Sequence, residues 1–373
     1  MTGAHDIGRP TLAAITRSPR GGGIASVARL VGQVLADEAG TVRTVTLAVG
    51  ERDFRSSTAR RVCFGLDVAA EQALGRCDWI CYTHLRLAAV QRAVPRILAR
   101  PYAIFLHDVE AWTPLSDPMR RVMAGAFLRL ANSRHTADRV AAANPSAGPI
   151  VACPLALPAT TGATPPAVTI AIDIGPRPIV IVGRMTATDA YKGHDQLIDA
   201  WPRVLAQVPD ATLICVGEGD DVERLQAKAA GVGAGHAVRF TGFVDDATRA
   251  AIYDRAVALA MPSRREGFGL VYVEAMAAGL PCVGSIHDAA REVIVDGETG
   301  FLVDQADTDA IVARLVALLR DETLRVRLGH AGRARYRQLF TYDAFRARLV
   351  TAIAAALPVR IRTDRAQQAG VGD

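Results

Sequence analysis

Residues 262–274 read Pro-Ser-Arg-Arg-Glu-Gly-Phe-Gly-Leu-Val-Tyr-Val-Glu and hold the densest chemistry in the chain. An apolar, strand-like run ends at Met261, a turn with two glycines follows, and a helix is predicted from Leu270. Gly267 and Gly269, flanking Phe268, let the backbone come close to a ligand. The N–H groups of Gly269, Leu270 and Val271 would leave the helix N-terminus without intrahelical partners, where an anion such as a phosphate binds. Glu274, one turn into the helix, can accept hydrogen bonds from ribose hydroxyls, and Glu266 lies in the turn itself. One glutamate near a helix N-terminus is accounted for by the helix dipole alone. Two of them bracketing Gly-Phe-Gly after a strand point to a built anion site.

The elements that must position this turn come in two alternating series. The chain has 373 residues, beyond the roughly 250–300 at which one core stops growing, so two domains are expected. In the first half, residues 12–16, 42–49, 79–82, 102–106 and 128–131 read as strands. Residues 24–36, 85–99 and 136–143 read as helices, with Asn132-Ser133 as a helix cap. Residues 154–178 carry Pro158, Pro165, Pro166, Pro176 and Pro178 and read as the interdomain crossing. A second series follows, with strands at 179–182, 211–216, 238–240, 258–261 and 281–285. Its helices are expected at 196–207, 222–230, 248–256, 270–278, 310–319, 323–340 and 342–357. Alternation of this kind implies α/β architecture with parallel, doubly wound sheets, and a ligand at the C-terminal ends of the strands. The expected division is 1–165, 166–340 and a last helix with its tail over 341–373.

Composition narrows the classes further. Half of the residues are hydrophobic and 22% are charged, which reads as globular. No stretch reaches the roughly 20 apolar residues of a membrane span, and the opening ten residues do not read as a signal peptide. Six cysteines lack zinc spacing and read as buried thiols of a reducing cytoplasm. Residues 1–165 carry 19 arginines, no lysine and 12 carboxylates, a surplus of +7, whereas the remainder stands at −2. A basic half points to an anionic partner.

The segment from Glu266 to Glu274 resembles the E-x7-E motif of retaining glycosyltransferases of family 4. The likeness continues through residues 275–281 and 296–303, and includes Val182-Gly183-Arg184, Tyr191-Lys192-Gly193, Val216-Gly217-Glu218-Gly219 and Phe240-Thr241-Gly242-Phe243-Val244. It implies the GT-B fold, two Rossmann-like doubly wound domains facing across a cleft. It further implies transfer of a mannose- or glucose-type hexose from GDP or UDP, with GDP-mannose favoured, to a glycan, lipid-linked or small-molecule acceptor. On this resemblance Arg184 and Lys192 bind the donor diphosphate, a task suited to cations because the leaving group gains charge as its bond breaks. Glu266 orients the sugar, Glu274 anchors the ribose, and Gly183, Gly217, Gly242, Phe243 and Val244 form loops around the donor. Gly22 and Gly23, within Arg20-Gly21-Gly22-Gly23, resemble the glycine loop beside the diphosphate and sugar. His107, ending a strand in Phe105-Leu106-His107-Asp108, resembles the cleft histidine near the sugar. Where many members carry Gly-Gly-x-x-Glu, this chain has His287-Asp288-Ala289-Ala290-Arg291-Glu292.

No metal and no cofactor beyond the nucleotide diphosphate sugar is expected. Asp307-Thr308-Asp309 has a manganese-like spacing but stands where a helix cap belongs. Arg92, Arg96 and Arg100 recur at four-residue spacing after Arg86 and would share a helix face. With Arg120 and Arg121 they could meet anionic lipid, placing the protein in the cytoplasm or at the inner face of the cell membrane. Nucleic acid is not an expected partner, because no stacking motif interrupts the basic residues. Two rival readings are an NAD-linked oxidoreductase, built on the Gly21–Gly23 turn and Glu51, and a non-catalytic nucleotide-sugar-binding protein.

Overall fold

The computed structural model describes residues 6–18, 22–48, 57–159, 173–359 and 361. The chain divides into two compact units, one of Met1–Pro158 with Tyr342–Asp373 and one of Ala159–Thr341. Much of the proline-rich crossing, together with Arg20, Gly21, Glu51 and the end of the C-terminal tail, lies outside the described residues.

The first unit runs β1 (Pro10–Ala14), α1 (Gly22–Ala39), β2 (Arg43–Thr46), α2 (Ser57–Ala73), β3 (Trp79–Tyr82), a 3-10 helix (Leu85–Arg92) and β4 (Tyr102–Leu106). It continues through α3 (Asp117–Gly125), β5 (Leu128–Ala131), α4 (Arg134–Ala143) and β6 (Val151–Ala152). Its six strands are all parallel in the order β2-β1-β3-β4-β5-β6. β3 and β5 are buried at every residue, as strands of a sheet covered on both faces should be, and Arg129 within β5 donates to the Met123, Ala126 and Pro149 carbonyls. Trp79 fixes the unit's start, its indole N–H donating to the Ile7 carbonyl at 2.7 Å.

The second unit runs β7 (Arg177–Val182), α5 (His194–Leu205), β8 (Ala211–Val216), α6 (Val222–Gly231), β9 (Val238–Gly242), α7 (Asp246–Arg255) and β10 (Ala258–Ala260). Next come α8 (Leu270–Ala278), β11 (Cys282–Ser285), α9 (Ala290–Val293), β12 (Gly300–Val303), α10 (Thr308–Arg320) and α11 (Glu322–Leu339). All six strands are parallel in the order β12-β11-β10-β7-β8-β9. The winding reverses between β7 and β10, and a doubly wound sheet opens a crevice at the carboxyl ends of such strands. The final helix, α12 (Tyr342–Ala356), belongs to the first unit, where Tyr342 donates to Asp37 of α1 and Arg346 pairs with Glu38 at 2.6 Å.

Some expectations need correction. Residues 85–99 do not form one helix, because the 3-10 turn ends at Arg92. Pro95 follows, and the residue before a proline is driven out of the α region. Arg96 and Arg100 therefore lie beyond the helix, and the shared arginine face does not exist. Arg120 is engaged locally, its guanidinium donating to the Leu115 carbonyl and pairing with Asp117. α2 and α3 were not expected. α2 buries only Phe64, Val68, Glu71 and Gln72 and leaves Val62 and Leu66 exposed, so its apolar stripe is too thin to mark a period. α3 buries only Val122 and Met123. Asp307 does cap α10, accepting the Ala310 N–H at 2.9 Å, and Asp309 pairs with Arg203.

Candidate active site

The loops after β7 and β10 flank the winding reversal of the second sheet, and they meet. Lys192 ends a short 3-10 turn, Ala187–Lys192, and its ammonium lies 3.2 Å from the Glu266 carboxylate. Both side chains are largely buried, at 15% and 19% exposure. Burial works against the Lys192 charge, but Glu266, Tyr191 and Asp189 more than offset it and its pKa is raised. Lys192 is thus a fixed cation, and Glu266 is its partner. Gly183 makes room for the approach, since a Cβ there would stand 2.8 Å from Lys192 Cδ. Gly217 permits the next layer, because a Cβ on it would stand 2.1 Å from the Gly183 carbonyl oxygen.

The α8 N-terminus opens beside this pair. Gly269 caps it in the left-handed region (φ 86°), and no side chain supplies a capping bond. The Leu270 and Val271 N–H groups occupy the first positions of the helix, where intrahelical acceptors are lacking. Gly267 is buried in the turn. Phe268 is 2% exposed, its ring edge-on to Phe340, so its side chain anchors the turn in the core.

Arg184 stands apart from the Lys192–Glu266 contact. Its side chain is 72% exposed and its guanidinium lies 3.2 Å from the buried Asp189 carboxylate. Asp189 also accepts from Thr186 and Tyr191 hydroxyls. Glu274 is held in a clamp that sequence reasoning missed. Arg249 reaches its two oxygens at 3.0 and 3.2 Å, and the Tyr253 hydroxyl donates at 3.0 Å. Burial raises the Glu274 pKa, with Arg249 and Tyr253 opposing. A carboxylate has about four acceptor positions, so one remains for a ligand hydroxyl. The Arg249/Tyr253 spacing of four along α7 was the available signal. Gly242 ends β9 and accepts the Gly217 N–H at 3.1 Å, with Phe243 46% exposed and Val244 half-buried beyond it.

Two further side chains brace these loops. Asp288, fully buried, accepts the Glu266 N–H and the Ala290 N–H, both at 3.0 Å, and burial pushes its pKa up to about 7. Gln305, 5% exposed, donates to the Tyr191 and Pro262 carbonyls at 2.9 and 2.6 Å.

In the first unit, His107 follows β4 and is 4% exposed. Its Nε2 lies 2.5 Å from the Thr83 carbonyl, to which it must donate, so Nδ1 is the ring nitrogen not used in that bond. Glu110 accepts the His107 and Asp108 N–H groups. Asp108 is raised to about 6 by burial and by Glu110, and His84 is lowered to about 4 by burial and by His107. Gly22 opens α1 at φ 65°, and neither it nor Gly23 has a neighbour that a Cβ would strike.

The match to a known family lies within the second unit. Residues 170–335 match the family described as Glycosyl transferases group 1. A phosphatidyl-myo-inositol mannosyltransferase of Mycobacterium leprae is 44% identical over 155 residues, 41% of this chain and 40% of that protein. A GDP-mannose-dependent alpha-(1-6)-phosphatidylinositol monomannoside mannosyltransferase of Mycolicibacterium smegmatis is 37% identical over 167 residues, 43% of each. The match thus spans about two fifths of each relative's length. Solved structures align over more of the chain. Sucrose-phosphate synthase from Thermosynechococcus elongatus superposes with a TM-score of 0.74 at 20% identity, covering 91% of this chain and 97% of its own. Anabaena HepE in complex with UDP and glucose gives 0.70 at 19% identity, covering 93% and 100%. The fold is GT-B-like, and residues 170–335 are a glycosyl transferases group 1 domain.

Proposed function

We propose that the protein is a retaining hexosyltransferase that moves a mannose- or glucose-type residue from GDP or UDP to a lipid-linked or other glycan acceptor without a metal. The observation that carries this reading is the buried Lys192–Glu266 pair beside the uncapped α8 N-terminus, at the winding reversal of the sheet. A departing diphosphate gains negative charge, and a fixed ammonium with oriented N–H groups stabilises it without reorganising. Arg184, mostly in solvent, is free to swing onto an outer phosphate and bind it bidentately.

In the proposed step the acceptor oxygen bonds to the anomeric carbon on the face from which the diphosphate departs. The carbon–oxygen bond to phosphate breaks with both electrons going to the leaving group, and a phosphate oxygen takes the acceptor proton. Glu266 holds the sugar, and Glu274 uses its remaining acceptor position for the ribose. His107 is proposed to contact the sugar through Nδ1. GDP-mannose is the favoured donor because the Mycolicibacterium smegmatis relative is named as dependent on it, and phosphatidylinositol-type lipids are the favoured acceptors because both relatives are named for them. On this reading the enzyme would work in the cytoplasm at the inner membrane face, where such a lipid acceptor is presented. No helix among the described residues is long and apolar enough to cross a membrane.

Release of nucleoside diphosphate from GDP-mannose and UDP-glucose tests the reading. Wild type should hydrolyse one of them slowly, and Glu266→Ala should release roughly 100-fold less. Equal release by the variant removes Glu266 from the mechanism.

A further inference from the structure

Lys192 and Glu266 sit on separate loops, and a contact of 3.2 Å between loop residues requires something to hold both loops still. Segment 288–290 grips residue 266 at both backbone groups. Asp288 takes its N–H, and the Ala289 N–H donates to its carbonyl at 3.1 Å. The other Asp288 oxygen is occupied by the Ala290 N–H. Each of the Asp288 oxygens faces an N–H donor, which the ionised carboxyl accepts on both sides. An amide there would turn an NH2 toward one of the two N–H groups. At Gln305 the requirement is the reverse. Its NH2 offers two donors, and both find carbonyls, one preceding Lys192 and one on the strand end that leads to Glu266. The Arg264 N–H donates to the same Tyr191 carbonyl at 3.0 Å, so the two loops are stitched twice. Groups this buried are retained only where their hydrogen bonds are made.

We propose that Asp288 and Gln305 are positioning residues for the Lys192–Glu266 pair, Asp288 fixing the turn that presents Glu266 and Gln305 fastening the loop that presents Lys192 to the strand end behind it. At the position where the resembling family often has glycine, this chain places a side chain that turns inward and supports the site. The groups facing Asp288 are Glu266, Tyr272 and the Ser263 hydroxyl. The catalytic consequence rests on the transferase reading, whereas the positioning itself does not.

The test uses the full chain with Asp288→Asn and Gln305→Leu, each checked for wild-type circular dichroism. Amide exchange should rise about tenfold in residues 262–268 for Asp288→Asn and in residues 188–194 for Gln305→Leu, with the other strands of the second unit unchanged. Asp288→Asn should lower kcat for nucleoside diphosphate release from GDP-mannose or UDP-glucose about tenfold, with KM within twofold, and should cost nothing further in a Glu266→Ala background. Gln305→Leu should raise the donor KM about tenfold and be silent in a Lys192→Ala background. If Asp288→Asn unfolds, Asp288→Ser keeps one acceptor and serves in its place. Unchanged exchange in both segments, or losses that simply add to those of Glu266→Ala and Lys192→Ala, overturns the proposal. A wild type that releases nothing from either donor overturns the transferase reading alone, and the exchange result still decides the positioning.

Discussion

Lys192 keeps its charge while largely buried because Glu266 stands against it, and the pairing has an energetic consequence in both directions. Removing Lys192 leaves a carboxylate with little solvent and no cation, so Lys192→Ala should lower stability by about 1–3 kcal/mol in urea unfolding. Replacing both partners, as in Lys192→Met with Glu266→Gln, should recover most of that loss while abolishing activity. Two buried histidines give a pH signature. His84 is lowered to about 4 by burial and by His107, and His194 to about 4 by burial and by Lys192. Below pH 6.5 the unfolded chain takes up a proton at each site that the folded chain refuses until about pH 4. Stability therefore falls as pH drops through that window, by up to about 3 kcal/mol per site. Asp288 and Asp108, raised to about 7 and about 6, act in the opposite sense over the same window, so the signature is the difference from wild type: His84→Gln or His194→Gln should gain stability relative to wild type as pH falls from 7 to 4. Midpoints unchanged by either substitution would contradict the assignment.

At the level of elements, the turn before α8 depends on Gly269. Its φ of 86° and the 2.3 Å that a Cβ would leave to the Tyr272 ring make Gly269→Ala costly twice over. The variant should lose about 2–4 kcal/mol by denaturant unfolding and bind nucleoside diphosphate poorly. α7 matters through Arg249. Arg249→Ala should cost about 2–4 kcal/mol, because Glu274 would stay buried beside Tyr253 without its cation. α8 was legible in the sequence at its full bounds, Leu270–Ala278, because a glycine opens it and Gly279 closes it. β8 was equally plain, an apolar run buried at every residue. What stayed hidden was long-range. Nothing along the chain ties Asp288 to Glu266 or Gln305 to Tyr191, since those bonds join loops that only the sheet order brings together. The 85–99 stretch misled because its apolar and arginine spacing suits a helix that Pro95 forbids.

The molecule as a whole is two parallel sheets in two compact units, with α12 returning the chain to the first. The family match covers residues 170–335 of the second unit, whereas the fold of sucrose-phosphate synthase and of HepE aligns over 91% and 93% of the chain. A ligand bound only by the folded state raises its melting temperature, so GDP and UDP should stabilise the chain unequally and name the base. The central claim is that a diphosphate binds between Lys192 and the α8 N-terminus, and calorimetric titration of GDP and UDP into wild type, Lys192→Ala and His107→Ala tests it most directly. Binding of one nucleotide should weaken about tenfold or more in Lys192→Ala and stay within about twofold of wild type in His107→Ala. Equal affinity in wild type and Lys192→Ala, or no binding of either nucleotide by wild type, would contradict the account.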